Sequence, residues 1–315
     1  MWRSFFLLTV VDLAAWQKNG QEIAKTNNAS NAPRMLMSEF NSVACGGVPG
    51  ISDTFGVGAL WSIDYALQLA SVGYIAAYIH TRERGISYNL LESPASGSAW
   101  TTFPPFYSLL VVAEALAAND GNIVVDLKTE RERSANRLNT TSAGYAIYDS
   151  EMVLSTIILL NYGDEVKTFD LRDLTGEPTA QIQAPYVKFL TAPSLAEKYN
   201  ISWGGKTFLN VGDGVPVAVD APWAFLDRTL SCSTLNCSLE LPGPSAALIF
   251  VHGNSAGAQP SSTSYFLIAH ALSPQVILPA LRLRCGLFHL DVYSLCCSPC
   301  SYLFHCRRLP ISLLI

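Results

Sequence analysis

The 315-residue sequence predicts an α/β segment followed by an all-β region. Three observations carry that expectation. Residues 34–80 run strand, glycine-rich loop, helix, strand, the order of a βαβ unit. After about residue 95 the pattern changes to short apolar runs between turn signals, as in an antiparallel β-sandwich. The stretch between them, LESPASGSAW, is rich in Ser, Pro and Gly and reads as a boundary. From about residue 258 the chain turns Leu-, Ser- and Cys-rich and loses periodicity. The expected organisation is therefore 1–95, 96–257 and a tail at 258–315 that belongs to no domain. That tail is expected to be disordered, or to be sequence read through an exon boundary.

The elements follow in order. Arg3, Ser4 and the run FFLLTVV resemble the start of a secretory signal. The apolar run is short, Asp12 interrupts it, and no small-residue cleavage site follows, so the expectation is a chain that starts inside a domain. Val11, Leu13, Ala14, Ala15, Ile23 and Ala24 suggest a helix over 11–26. A turn at 27–33 leads into a strand at 34–40, and the loop 41–51 holds Gly46, Gly47, Pro49 and Gly50. Ser52 and Asp53 are expected to cap a helix over 53–71, in which Phe55, Ala59, Leu60, Ile63, Ala66, Leu67 and Ala70 recur at helical spacing. Gly73 stops it, and 74–80 is continuously apolar, as in a buried parallel strand. Such a unit fits an α/β barrel or an open doubly wound sheet. Beyond it the sequence predicts a helix at 106–118 and strands at 122–127, 143–149, 153–161, 181–190 and 246–251. Asn119-Asp-Gly and Val211-Gly-Asp-Gly-Val mark turns.

Half of the residues are hydrophobic and 14% are charged, so the chain can bury a large core. The net charge of -5 argues against a nucleic-acid partner, which needs a basic face. The apolar segment 265–284 contains Pro274 and Pro279 and makes a poor membrane span. Four N-x-[ST] triplets, at Asn28, Asn139, Asn200 and Asn236, fit a secreted, glycosylated protein. Cys232 and Cys237 flank a short polar turn that a disulfide could close, which also fits an extracellular location.

Glu39 is the first chemical candidate. It stands at the end of a strand, ahead of a loop whose backbone N–H groups can approach a ligand closely. In a β/α barrel the pocket lies at the C-terminal ends of the strands. A retaining glycosidase needs one carboxylate to attack the anomeric carbon and another, about 5 Å away, to protonate the leaving oxygen.

The run EFNSVACGGVPGISDTFGVGALWSIDYALQLASVGYIAAYIH resembles the nucleophile region of the glycoside hydrolase family 79 β-glucuronidases, best represented among fungi. The matching positions are Glu39, Asn41-Ser42, Gly46-Gly47, Ser52-Asp53-Thr54-Phe55, Ala59-Leu60-Trp61, Asp64-Tyr65 and His80. Weaker similarity continues through Pro104-Pro105 to LPGPSAALIFV, over roughly residues 10–252. The resemblance implies the C-terminal remnant of a (β/α)8 TIM barrel followed by the antiparallel β-sandwich domain. It implies a retaining hydrolase of β-linked uronic acids that needs no cofactor, with Glu39 as nucleophile. Amides near Gly46 and Gly47, with Tyr88, would bind the uronate carboxylate, and Asn41 and His80 would also contact the substrate. Ala44 departs from the pattern, which has an aromatic there. The family's general acid belongs to an Asn-Glu pair on an earlier strand, and this sequence contains no Asn-Glu dipeptide. Losing that proton donor removes a step typically worth about 10² to 10⁴ in rate. The expectation is a fragment, inactive as it stands. The alternative is a non-catalytic carbohydrate-binding or structural β-domain protein.

Three other patterns compete. Gly253-Asn-Ser-Ala-Gly257 matches a nucleophile elbow, with Ser255 as nucleophile and Asp291 and His305 available as partners, but Pro260 and the serines after it make a poor following helix. Cys297-Ser-Pro-Cys300, with His289, His305 and Cys306, lacks a second, regularly spaced ligand pair, so no metal is expected. The 34–80 unit lacks the G-x-G-x-x-G spacing of a dinucleotide site.

Overall fold

The computed structural model describes residues 2–27, 35–94, 99–117, 122–129, 141–175, 182, 184–211, 213–233, 237–252 and 311–314. Helix α1 spans Trp2–Asn27, with side chains described from Ala15 onward. Strand β1 (Leu36–Phe40) lies parallel to β2 (Ala76–Thr81). Between them a π-helical turn, Phe55–Trp61, continues directly into α2 (Ser62–Ser71). This is the expected βαβ unit, with one difference at the helix start. Ser52 and Asp53 do not cap the helix, and Thr54 makes no side-chain cap. The Phe55 and Gly56 amides donate instead to the carbonyls of Glu197 and Leu195. These distant acceptors satisfy the orphan N–H groups that a helix start leaves. Asp53 is held outside the helix by the Gly50 amide at 2.7 Å and Lys198 Nζ at 2.6 Å.

The short pair β3 (Leu91–Glu92) and β4 (Thr101–Thr102) precedes α3 (Pro104–Leu116). Then come β5 (Ile123–Asp126), β6 (Ser142–Tyr148), β7 (Leu154–Asn161), β8 (Lys167–Asp170), α4 (Leu171–Thr175) and β9 (Tyr186–Thr191). The series ends with β10 (Ser202–Trp203), β11 (Lys206–Thr207), β12 (Val217–Ala218), β13 (Arg228–Thr229), β14 (Ser238–Leu241) and β15 (Ser245–Phe250). A nine-stranded antiparallel sheet runs β12-β11-β10-β9-β15-β7-β6-β5, with β13 also on β9. Strands β8 and β14 form a separate antiparallel pair.

The central strands read as unbroken apolar runs because both faces of the sheet are covered. Tyr145, Ile147, Ile158, Leu160, Leu190, Ala246, Leu248 and Phe250 join one core, with α2 and α3. The alternate residues Ala146, Ile157, Leu159, Phe189, Ala247 and Ile249 join a second core, with Phe169, Leu239 and Leu241 of the small sheet. Period-two alternation divides neighbours between the two sides. Sheet thus packs on sheet on one face of the large sheet, and α2 and α3 cover the other. The first core also includes Phe40, Phe55, Leu60, Ile63 and Ile79, so it runs across the boundary expected near residue 95.

Gly58 shows how closely the helices pack. A Cβ there would stand 2.8 Å from Pro105 Cδ and 2.9 Å from Pro104 Cβ, both rigid ring atoms at the start of α3. Gly58→Ala is expected to destabilise the fold by about 1–3 kcal/mol through overpacking, read as a lower thermal midpoint by circular dichroism.

On α1, Gln17 and Gln21 are buried, donating to the Tyr65 hydroxyl at 2.7 Å and the Gly73 carbonyl at 2.8 Å, while Ile23 faces solvent. Hydrogen-bond partners on α2 and in the turn after it hold these two glutamines inward. In the tail, Ile311–Leu314 forms strand β16, antiparallel to β2. A free sheet edge offers unpaired backbone groups to any extended segment, and these four residues therefore do not lie outside the fold. The remaining tail motifs, at Ser255, Asp291 and His305 and at the clustered cysteines, lie outside the described residues, as does the turn at Asn119. No helix among the described residues is long and apolar enough to cross a membrane.

Candidate active site

Strand β1 carries Glu39, and its pairing explains where that side chain goes. Met37 pairs with Ala77, but Phe40 pairs with Ile79, so β1 holds one extra residue, a β-bulge. Bulges re-aim a side chain and recur beside active sites. Here Phe40 turns into the core beside Trp61 and Tyr65, and Glu39 turns outward. Its Oε1 lies 3.8 Å from His80 Nδ1, and its side chain is 62% exposed. On β2, Ala77, Ile79 and Thr81 are buried against the core, which leaves Tyr78 and His80 on the opposite side.

The loop after β1 is built from reciprocal polar contacts. Asn41 Nδ2 donates to the His80 carbonyl at 2.7 Å and ties the loop to β2. The Ser42 and Ser52 hydroxyls bond each other at 2.9 Å, and Ser52 Oγ accepts the Val48 amide. Gly46 and Gly47 have φ of +100° and +76°, a region that glycine enters without a Cβ penalty. A Cβ on Gly47 would come within 2.7 Å of Ser52 Oγ and 3.0 Å of Tyr88 Cδ1. Ala44 is exposed in this loop, next to exposed Cys45.

Tyr88 is buried, with its ring edge-on to His80 at a centroid distance of 5.8 Å. Burial pushes its phenol above the usual range. The Gly46 amide and the Arg82 guanidinium at the hydroxyl act in the opposite sense, and the Glu39 carboxylate nearby adds to the rise. The structure therefore brings Glu39, Asn41, Gly46, Gly47, His80 and Tyr88 into one neighbourhood. Arg82 is a member that sequence reasoning missed.

A turn of the β region braces this loop from behind. Lys198 pairs with Asp53, and the carbonyls of Leu195 and Glu197 receive the helix-start amides. Although Glu197 is partly buried, the amides of Lys198, Tyr199 and Asn200 hold its carboxyl below its usual range. Asn200 is exposed, while Asn28, Asn139 and Asn236 lie outside the described residues. Cys232 and Cys237 are joined in a disulfide. Among the described residues no group of three or more His, Cys, Asp or Glu side chains could hold a metal ion.

Residues 144–248 match the family described as "Glycosyl hydrolase family 79 C-terminal beta domain". A β-glucuronidase of Aspergillus niger is 28% identical over 152 residues, covering 47% of this chain and 26% of that protein. A β-glucuronidase of Neurospora crassa is 31% identical over 184 residues, covering 56% and 31%. This chain thus spans about a quarter to a third of the length of these relatives. Among solved structures, a 4-O-α-L-rhamnosyl-β-D-glucuronidase of Fusarium oxysporum 12S superposes with a TM-score of 0.51 at 23% identity, covering 69% of this chain and 43% of that one. That likeness is one of fold. Residues 144–248 thus match the beta domain of glycoside hydrolase family 79, and the chain is similar to the C-terminal portion of that family.

Proposed function

We propose that this chain is the C-terminal part of a retaining glycoside hydrolase acting on β-linked uronic acids, with Glu39 in the nucleophile position. In this reading residues 35–94 are the last βα units of a TIM barrel, whose pocket opens at the strand ends. The observation that carries it is the bulge that turns Glu39 out of β1 toward His80, beside the Gly46 amide and the Tyr88 hydroxyl. The relatives named β-glucuronidase, both extending well beyond this chain, support the substrate class. Glu39 would attack the anomeric carbon and form a glycosyl ester, and water would then release the sugar. Leaving-group protonation needs a second carboxylic acid, expected on an earlier strand in an Asn-Glu pair, so the chain by itself is read as inactive. Secretion fits the disulfide and the exposed sequon at Asn200. The exposure of Glu39 favours one other reading for the chain alone, a non-catalytic carbohydrate-binding product.

A chimera tests the assignment: the N-terminal portion of the Aspergillus niger relative placed ahead of residue 35. An activated 2-fluoro-β-glucuronide, whose leaving group departs unprotonated, should esterify Glu39, detected by peptide mass spectrometry. Glu39→Gln should abolish the adduct. A folded chimera without label at Glu39 would remove its nucleophile role and leave the binding reading.

A further inference from the structure

One edge of the large sheet carries a strap that is fixed at two points. Val217–Ala218 pair with β11 as β12, and Arg228–Thr229 pair with β9 as β13. Between them the chain crosses the β10–β11 turn, where the Val219 amide donates to the Gly205 carbonyl at 2.9 Å. Just past β13 the Leu230 amide donates to the Pro185 carbonyl at 2.9 Å. Both strands of the strap are exposed and two residues long, the kind of segment that opens locally at little cost.

One side chain of the strap turns inward. Arg228 pairs with Val187, which sets Asp227 opposite Lys188, on the side of the sheet that α3 covers. The Tyr186 hydroxyl donates to Asp227 Oδ2 at 2.9 Å, whereas Oδ1 is buried without a hydrogen-bond partner. That oxygen rests against Gly204, where a Cβ would stand 2.6 Å from it. The titratable groups around Asp227 come from three other elements: Tyr186 and Lys188 of β9, Lys206 of β11 and Glu114 of α3.

The charges in this cluster do not balance. Lys188 gives its ammonium to both oxygens of Glu114 at 2.9 Å and lies on the Trp203 ring. That buried pair is neutral by itself, and Lys206 is exposed. The Asp227 carboxylate is therefore the surplus negative charge, partly buried and with a second carboxylate in its surroundings, and both conditions favour a proton. Burial accordingly holds its carboxyl above the usual range, with the Tyr186 hydroxyl, Lys188 and Lys206 pulling the other way. A protonated Asp227 is neutral and still offers an oxygen to the Tyr186 hydroxyl.

We propose that Asp227 is a proton-operated latch: protonated, it pins the strap 217–230 to β9 and to the β10–β11 turn, and ionised, it lets the strap open while the sheet beneath stays intact. A carboxyl whose folded pKa lies above its unfolded value stabilises the closed form most fully below the unfolded value. That stabilisation is lost as pH rises through the folded pKa. The strap is thus closed in mild acid and looser at neutrality.

Amide hydrogen exchange of the full chain, read by nitrogen-15 NMR and corrected for the intrinsic pH dependence of exchange, tests the latch. Between the ordinary carboxylate range of about pH 4 and neutrality, protection of the Leu230 amide should fall severalfold. The Ala247 amide, on the central strand β15, should keep its protection over the same range. Asp227→Asn keeps an acceptor for Tyr186 but has no proton to lose, so Leu230 should hold its acid-side protection throughout. The wild-type measurement stands without the variant, whose folding circular dichroism checks. Leu230 protection that does not change with pH, a fall shared by Ala247, or a fall that persists in Asp227→Asn would each overturn the latch.

Discussion

Asp64→Ala should cost the fold about 3 kcal/mol. Asp64 is fully buried near the start of α2, and two phenols reach it from the sheet. The Tyr145 hydroxyl on β6 donates to its Oδ1, and the Tyr162 hydroxyl just after β7 donates to its Oδ2 at 3.2 Å. Both tyrosines are themselves buried; the Tyr145 hydroxyl keeps the Asp64 carbonyl at 3.1 Å and Gln68 Oε1 at 3.0 Å as acceptors, but the shared carboxylate between the two phenols is lost in a medium that penalises weakly satisfied polar groups. Hydrogen bonds to a charged group contribute about 1.5 kcal/mol or more each, which sets the total. Asp64→Asn keeps one acceptor oxygen and should recover part of the loss. Guanidinium unfolding followed by tryptophan fluorescence and by circular dichroism measures both variants. Because one core joins α2 to the sheet, the two signals should stay coincident. A cost below about 1 kcal/mol, or separate transitions for the helical and sheet parts, would contradict that account.

The same contact shows what could and could not be read from the sequence. The strands over 142–148, 154–161 and 245–250 were legible because both faces of each are buried, which writes an unbroken apolar run into the chain. The parallel pair β1–β2 was legible from the order strand, glycine loop, helix, strand, although β1 is largely exposed and β2 is buried only at alternate positions, not throughout as its apolar run had suggested. The start of the intervening helix was not, because its cap comes from carbonyls at 195 and 197, about 140 residues away. Nor was the inward face of α1, which buries two glutamines in place of Ile23 because their amides find partners at Tyr65 and Gly73. At the candidate site, Glu39 and His80 were visible through resemblance to a family. The bulge that aims Glu39 was not, since an extra residue in one strand shows only when its partner strand is paired. Arg82 escaped because nothing in a local pattern marks one exposed arginine just past the end of a strand.

Lys188→Met should be the costliest single change on the sheet, at about 3–5 kcal/mol near neutral pH. Lys188 stands on β9, and its Nζ contacts both oxygens of Glu114 on α3 at 2.9 Å. The side chains are only 9% and 11% exposed, so neither charge has water to fall back on. Trp203 adds an indole N–H to Glu114 at 3.1 Å and its ring face to the ammonium at 4.5 Å. Burial raises the Glu114 carboxyl above its usual range even though Lys188 pulls the other way, and Asp227 nearby adds to the rise. Removing the lysine removes the main opposing influence, so the carboxyl should titrate higher still. The sign of the pH dependence follows. A carboxyl whose folded pKa lies above its unfolded value favours the fold when protonated, and that stabilisation is lost as pH rises through the folded pKa. The penalty in Lys188→Met should therefore be greatest near neutrality and shrink as pH falls toward the ordinary glutamate range of about 4.3. Replacing both partners, as Lys188→Met with Glu114→Leu, removes the stranded charge and should restore most of the stability, since a well-packed apolar pair often matches a buried ion pair. Urea midpoints of the single and double variants at neutral and mildly acidic pH measure the effect. A single variant whose deficit does not depend on pH, or a double variant no better than the single, would show that lost packing at Lys188, and not a stranded carboxylate, sets the cost.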